Sequence, residues 1–210
     1  MIFGASAFLY LALYQSPPKV DPRPQEALGQ VLADEAAKLL GSGGRLTLLA
    51  PDTSVFKNPT IDFQVKGFRQ ALKKSKLPLA ATNLMQLDPL RLMRVPPGDF
   101  VDIMRKQSEA DVIVSLLGPP LLSGDQRTKL GDKKPKIVAL CSGVLARQVN
   151  FRELFEQNLL QVAIVSRLQP SAAPASSADP RAWFDAFYQV VTVTNVSELA
   201  PLTNSLAHDL

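Results

Sequence analysis

The run Asp111–Leu117, DVIVSLL, is apolar on both of its alternating faces. A strand with that pattern needs cover on both sides, which places it inside a parallel sheet. Five further short runs suit strands: Arg45–Ala50 (RLTLLA), Leu79–Leu87, Lys136–Leu140 (KIVAL), Leu160–Val165 (LQVAIV) and Val190–Val193. Between them the spacing turns helical. Thr60–Ser75 sets Ile61, Phe63, Val65, Phe68 and Leu72 against basic residues, and Pro96-Pro97-Gly98-Asp99 opens a segment with Phe100, Ile103 and Met104 on one face. Six strands separated mostly by helices predict an α/β fold, a doubly wound and mostly parallel six-stranded sheet with right-handed crossovers. With 46% hydrophobic and 20% charged residues among 210, the chain can bury such a core and is neither disordered nor disulfide-stapled.

The remaining punctuation agrees. A helix over Gln25–Leu40 carries Leu28, Val31, Leu32, Leu39 and Leu40 and stops at Gly41-Ser42-Gly43-Gly44. Phe151–Gln157 reads as a short helix, and residues 170–178 as a low-complexity loop. Asp179-Pro180 is an N-cap and first-turn pair for a helix bearing Trp183, Phe184 and Phe187. The α/β domain is thus expected over residues 25–195, followed by a polar C-terminal tail, 196–210.

Ahead of the domain, Ile2–Tyr14 (IFGASAFLYLALY) is uncharged and apolar. Its 13 residues span only ~20 Å as a helix, short of a hydrocarbon core of roughly 30 Å. No Lys or Arg precedes it and a poor cleavage site follows, which argues against a signal peptide. An uncleaved membrane anchor over residues 1–16, with its beginning missing, is expected; Phe3, Phe8, Leu9, Tyr10, Leu11, Leu13 and Tyr14 would meet the bilayer. Residues 17–24, PPKVDPRP, hold four prolines in eight positions and predict an extended spacer.

The net charge of +4 and pI near 9.3 rest largely on two clusters, Lys66, Arg69, Lys73, Lys74 and Lys76, then Arg127, Lys129, Lys133, Lys134 and Lys136. Neither interleaves aromatic or polar base readers with its charges, so solvated faces are expected and nucleic acid is not. Cys141 is the single cysteine and His208 the single histidine, the latter near the C-terminus. That excludes an intrachain disulfide, a cysteine metal site, and His-based triads or multi-His zinc sites within one chain. Gly41-Ser42-Gly43-Gly44 precedes a strand, whereas phosphate-binding glycines follow one. Cys141-Ser142-Gly143 departs from the Gly-x-Ser-x-Gly elbow of hydrolases. An acidic pair and a strand-terminal Asp of the receiver type are also missing. No cofactor and no catalytic set is expected; a metal held by Asp52 or Asp111 is the remaining enzymatic reading.

The stretch from Arg45 to about Arg167 resembles one lobe of the type 1 periplasmic-binding-protein fold, the family of sugar- and amino-acid-binding receptors related to LacI-type repressors. The residues that carry the likeness are RLTLLAPDTSVFKNP, VKGFRQALKK, GDFVDIMRKQSEADVIVSLLGPP and PKIVALCSG. A flavodoxin-like domain would show a similar pattern. The family traps solute between two lobes, whereas this chain accommodates about one.

Ligands of such sheets gather outside the C-terminal strand ends. The candidates there are Asp52, Thr53, Ser54 and Asn58 in the first loop, Ser115 ending the third strand and Ser142 after the fourth; local capping is the alternative role for each. Trp183, Phe184 and Phe187 form an aromatic cluster that is either core or a partner-binding face. The expected function is a non-catalytic, membrane-tethered accessory or scaffold subunit of a larger bacterial membrane complex, extracytoplasmic, in contact with other membrane subunits and with the bilayer. The alternative is a receptor or sensor of a small solute whose cleft is completed by a second chain.

Overall fold

The computed structural model describes residues 20–54, 57–86, 94–131, 133–174 and 179–199. The elements follow one another as α1 (Pro22–Leu39), β1 (Leu46–Pro51), α2 (Pro59–Lys74), β2 (Leu79–Met85), α3 (Pro97–Arg105), β3 (Val112–Ser115), α4 (Gly124–Leu130), β4 (Lys136–Cys141), α5 (Val144–Gln148), α6 (Phe151–Glu156), β5 (Val162–Ser166), α7 (Pro180–Phe187) and β6 (Tyr188–Val191), with a short 3-10 turn at Val196–Glu198. They build one six-stranded sheet in the order β2-β1-β3-β4-β5-β6.

The strands alternate between two cores. Leu46, Leu48, Ala50, Val112, Val114, Val138, Leu140, Val162 and Ile164 face one side, where α1, α2 and α7 add Leu28, Leu32, Phe68, Leu72 and Phe184. Leu49, Ile113, Ile137, Ala139, Cys141, Ala163 and Val165 face the other, where α3, α5 and α6 add Phe100, Met104, Ala146, Phe151 and Leu154. The period-2 alternation of apolar residues on both faces is why the central strands have no polar side.

α1 and α2 touch through a pair of glycines. A Cβ on Gly29 would come within 2.0 Å of the Gln64 carbonyl oxygen, and one on Gly67 within 2.1 Å of that of Glu26. Backbone meets backbone there, so neither position has room for a side chain. Across the same interface Gln64 Nε2 donates to Gln25 Oε1 at 2.8 Å, and Gln25 Nε2 donates to the Tyr188 hydroxyl at 3.2 Å, which ties α1 and α2 to β6.

Several expectations are corrected. α1 begins at Pro22, so Pro22, Arg23 and Pro24 form its first turn rather than extended spacer; Asp21 caps it, accepting from the Arg23 N–H at 3.0 Å, and proline suits the first helical turn because its missing N–H has no partner there. β6 starts at Tyr188, not Val190, and runs antiparallel to β5. The Arg167 N–H donates to the Phe187 carbonyl at 2.9 Å, so α7 ends beside the end of β5 and the chain can only run back along it. α4 and α5, two short helices, were not evident from apolar spacing; α4 buries no residue and is set by a capping box between Ser123 and Gln126. Of the two readings for the aromatic cluster, core holds for Trp183 and Phe184, which are 5% and 0% exposed under α1, and the partner-binding face does not; Phe187 is half-buried and stacks on Trp183 with ring centroids 6.5 Å apart.

Three residues of the second basic cluster make structural contacts. Arg127 pairs with Glu153 at 3.0 Å, Lys134 donates to the Gln157 carbonyl and Lys136 to the Leu39 carbonyl at the end of α1. The expected anchor, residues 1–16, lies outside the described residues, as do residues 17–19 of the spacer and residues 200–210 of the tail with His208. Among the described residues no helix is long and apolar enough to cross a membrane.

Candidate functional site

β1, β2, β3, β4 and β5 are mutually parallel, so their C-terminal ends share one rim. The strand order reverses between β1 and β3, the position at which open α/β sheets form a crevice. The loop after β1 lies at this rim. Asp52 Oδ1 accepts the Ser54 N–H at 2.9 Å, and hydrogen bonds from Ser54 hold the solvent-facing Asp52 carboxyl below the usual carboxylate range, so it stays ionised at neutral pH. Thr53 Oγ1 donates to Asp62 Oδ1 at 3.1 Å, fastening this loop to the first turn of α2. Asn58 caps α2, its Oδ1 accepting the Thr60 N–H at 3.1 Å. Each residue thus has the local role that its side chain suits, while Asp52 and Thr53 stay half-exposed and Ser54 exposed.

The turn after β3 is apolar. Ser115, expected as a ligand group, is 0% exposed and its Oγ accepts the Leu117 N–H at 3.2 Å; it shapes the turn and faces no solvent. Leu116, Leu117, Pro119 and Pro120 are buried behind it. Gly118 between them has φ of +86°, a backbone conformation that favours glycine, and lies against Leu145 of α5. Ser142 is exposed after β4, next to Gly143, which opens α5 with φ of 60°.

The structure adds rim residues that sequence reasoning missed. Val144 after β4 and Leu168 after β5 are 58% and 56% exposed. Beside Leu168, a groove of 220 Å³ is lined by Arg167, Gln169, Gln189 and Glu198 among others. The only advance signal was an apolar residue just past each strand end, in SGVLA and SRLQP.

Cys141 and Asp111 have structural roles. Cys141 is fully buried, and burial pushes its thiol far up, away from the thiolate a nucleophile needs. Asp111 lies at the N-terminal end of β3, opposite the rim, where it accepts the backbone N–H groups of Arg45 at 2.6 Å and Ser108 at 2.7 Å and the Arg45 guanidinium at 3.2 Å. Desolvation pushes its pKa up, but these bonds outweigh it and hold the carboxyl below its usual range. Among the described residues no group of three or more His, Cys, Asp or Glu side chains could hold a metal ion.

No family model and no curated sequence matches this chain. Solved structures do match in fold. AraP, an arabinose binding protein from Geobacillus stearothermophilus, is 15% identical with a TM-score of 0.55 over 84% of this chain and 63% of its own. A putative LacI transcriptional regulator from Bacteroides fragilis is 10% identical, TM-score 0.54, over 84% and 62%. The XylFII-LytSN complex holds a chain 14% identical, TM-score 0.50, over 82% and 61%. The fold is the type 1 periplasmic-binding-protein-like α/β fold. The chain spans about three fifths of the length of the structures it matches.

Proposed function

We propose that this chain is the binding lobe of an extracytoplasmic receptor or sensor for a small neutral sugar, its ligand held at the rim and its cleft completed by a second protein surface. The observation that carries this reading is the rim itself. Five parallel strands end there, with the ionised Asp52, Thr53, Ser54 and Ser142 open to solvent beside exposed Val144 and Leu168. Carboxylate and hydroxyl groups suit sugar hydroxyls, and exposed aliphatic residues suit the apolar face of a ring or of a facing protein. The likeness to an arabinose binding protein supports the ligand class, and the likeness to a chain found in a complex supports a protein as the second wall.

Val144 and Leu168 also favour a second reading, in which the rim serves as an interaction platform and the chain is an accessory subunit tethered through residues 2–14. One experiment separates the two. The full chain, purified in mild detergent, is melted with a panel of pentoses and hexoses. A rise in Tm with at least one sugar, lost in Asp52→Ala and Ser142→Ala, supports the receptor reading, since a ligand that binds only the native state raises stability by mass action. No rise with any sugar, together with stoichiometric co-purification of a membrane complex, supports the platform.

A further inference from the structure

Among the described residues the edge strand β2 lies between two grooves, and the strand itself carries no blocking residue. Its sequence, LAATNLM, holds neither a charge nor a proline, and beyond the register shift near Leu79 it pairs evenly with β1 from Ala81 to Met85. Met85 gives its carbonyl to the Asp52 N–H at 2.9 Å, so Met85 faces β1; by the alternation of strand backbone, the N–H and C=O groups of Thr82 and Leu84 point away from the sheet. Natural proteins blunt such edges with short strands, charges or covering loops. The opposite edge is treated that way: β6 has four residues, and Asn195 Nδ2 takes the Val190 carbonyl at 3.0 Å.

The grooves differ in charge. On the α2 side, a groove of 520 Å³ has an apolar floor of Ile61, Val65 and Leu84 and a rim of Lys66, Arg69 and Lys73, with Asp62 the one acid. Lys66 is partly answered by Glu26 at 2.7 Å. On the α3 side, a groove of 450 Å³ has Met85 and Ile103 beneath Asp99 and Asp102, with Lys106 the one base. Leu84, 59% exposed, stands on the boundary and lines both.

We propose that β2 is a strand-addition site for an extended segment of another protein, acidic and aliphatic on the side chains that face α2, basic and aliphatic on those that face α3. A strand added at this edge sends alternate side chains into the two grooves, so backbone bonding supplies affinity and the opposed rims select a partner of alternating charge. A slip of one residue would turn every charge toward its like. A second copy of this chain fits poorly: two copies joined by this edge about a two-fold axis run antiparallel and set α2 beside α2, basic rim against basic rim. This inference does not depend on the sugar-receptor reading.

The test uses the full chain and a fluorescein-labelled peptide, EKVIEKV, with EEVIKKV as a control of equal composition whose charges are not segregated by face. Fluorescence anisotropy should show saturable binding of EKVIEKV and about tenfold weaker binding of the control. Leu84→Pro, which removes an outward N–H without touching the β1 ladder, should abolish binding; Arg69→Glu with Lys73→Glu should weaken it about tenfold. If Leu84→Pro does not fold, backbone N-methylation of EKVIEKV asks the same question on the peptide side and should also abolish binding. The proposal is overturned if EKVIEKV does not bind, or if binding survives both blocks. It is equally overturned if sedimentation shows a homodimer that Leu84→Pro dissolves, which would make a second copy the occupant.

Discussion

Asp111 shows how much one buried carboxylate can hold together at the foot of the sheet. It joins the start of β1 to the turn before β3 through two backbone N–H groups, with the Arg45 guanidinium as a charged partner. Replacing it by Asn keeps the shape but loses the charge, and we expect a loss of about 1–3 kcal/mol at neutral pH, read from chemical denaturation. The pH dependence has a definite sign. The folded pKa lies below the unfolded one, so the contribution is complete above the unfolded value of about 3.9 and falls away as pH drops through the folded value. The gap between wild type and Asp111→Asn should therefore close on acidification and stay flat between pH 6 and 8. Cys141 gives a simpler expectation. Buried at the end of β4 with a raised pKa, it should resist a thiol-reactive dye in the native protein and react fully once the chain is unfolded. Asp111 was visible in the sequence as a candidate for chemistry; burial and partners, which no single sequence displays, turn it into a structural group.

At the scale of elements, the strands were legible because an apolar run flanked by turn residues has few other homes. The helix face of α2 was legible for the same reason, since Ile61, Phe68 and Leu72 recur at helical spacing and are buried together. What escaped was set by groups that apolar spacing ignores. α4 exists through a capping box, and the direction of β6 follows from where α7 ends. The α1–α2 contact is another case, because Gly29 and Gly67 read as indifferent helix residues until the neighbouring carbonyls are placed. Gly29→Ala or Gly67→Ala should each destabilise the fold by about 1–3 kcal/mol, despite the better helix propensity of alanine, because each new Cβ would meet a backbone oxygen at 2.0 or 2.1 Å. The double substitution should cost less than the sum, since one separation of the helices relieves both clashes. Thermal melts of the three variants give the comparison.

For the whole molecule, the layout of the sheet was readable and the character of the rim was not. The loop after β1 sits at the C-terminal strand ends, where its position after an apolar strand put it, and Asp52, Thr53 and Ser54 remain open to solvent. Ser115 was misplaced because a hydroxyl at a strand end looks alike in sequence whether it faces outward or closes a turn. Val144 and Leu168 went unnoticed because exposure of one apolar residue depends on what the rest of the fold leaves uncovered. Val144 and Leu168 leave apolar surface exposed on the rim, and the structural relatives are about a third longer than this chain. The most direct measurement is amide hydrogen exchange on the full chain, with and without a saturating mixture of neutral monosaccharides that includes D-arabinose and D-ribose. The account predicts slowed exchange concentrated at residues 52–54, 142–144 and 166–169, with the N-terminal strand ends around Arg45 and Asp111 unchanged. Exchange that is unaltered at the rim, or slowed only at the opposite end of the sheet, would contradict it.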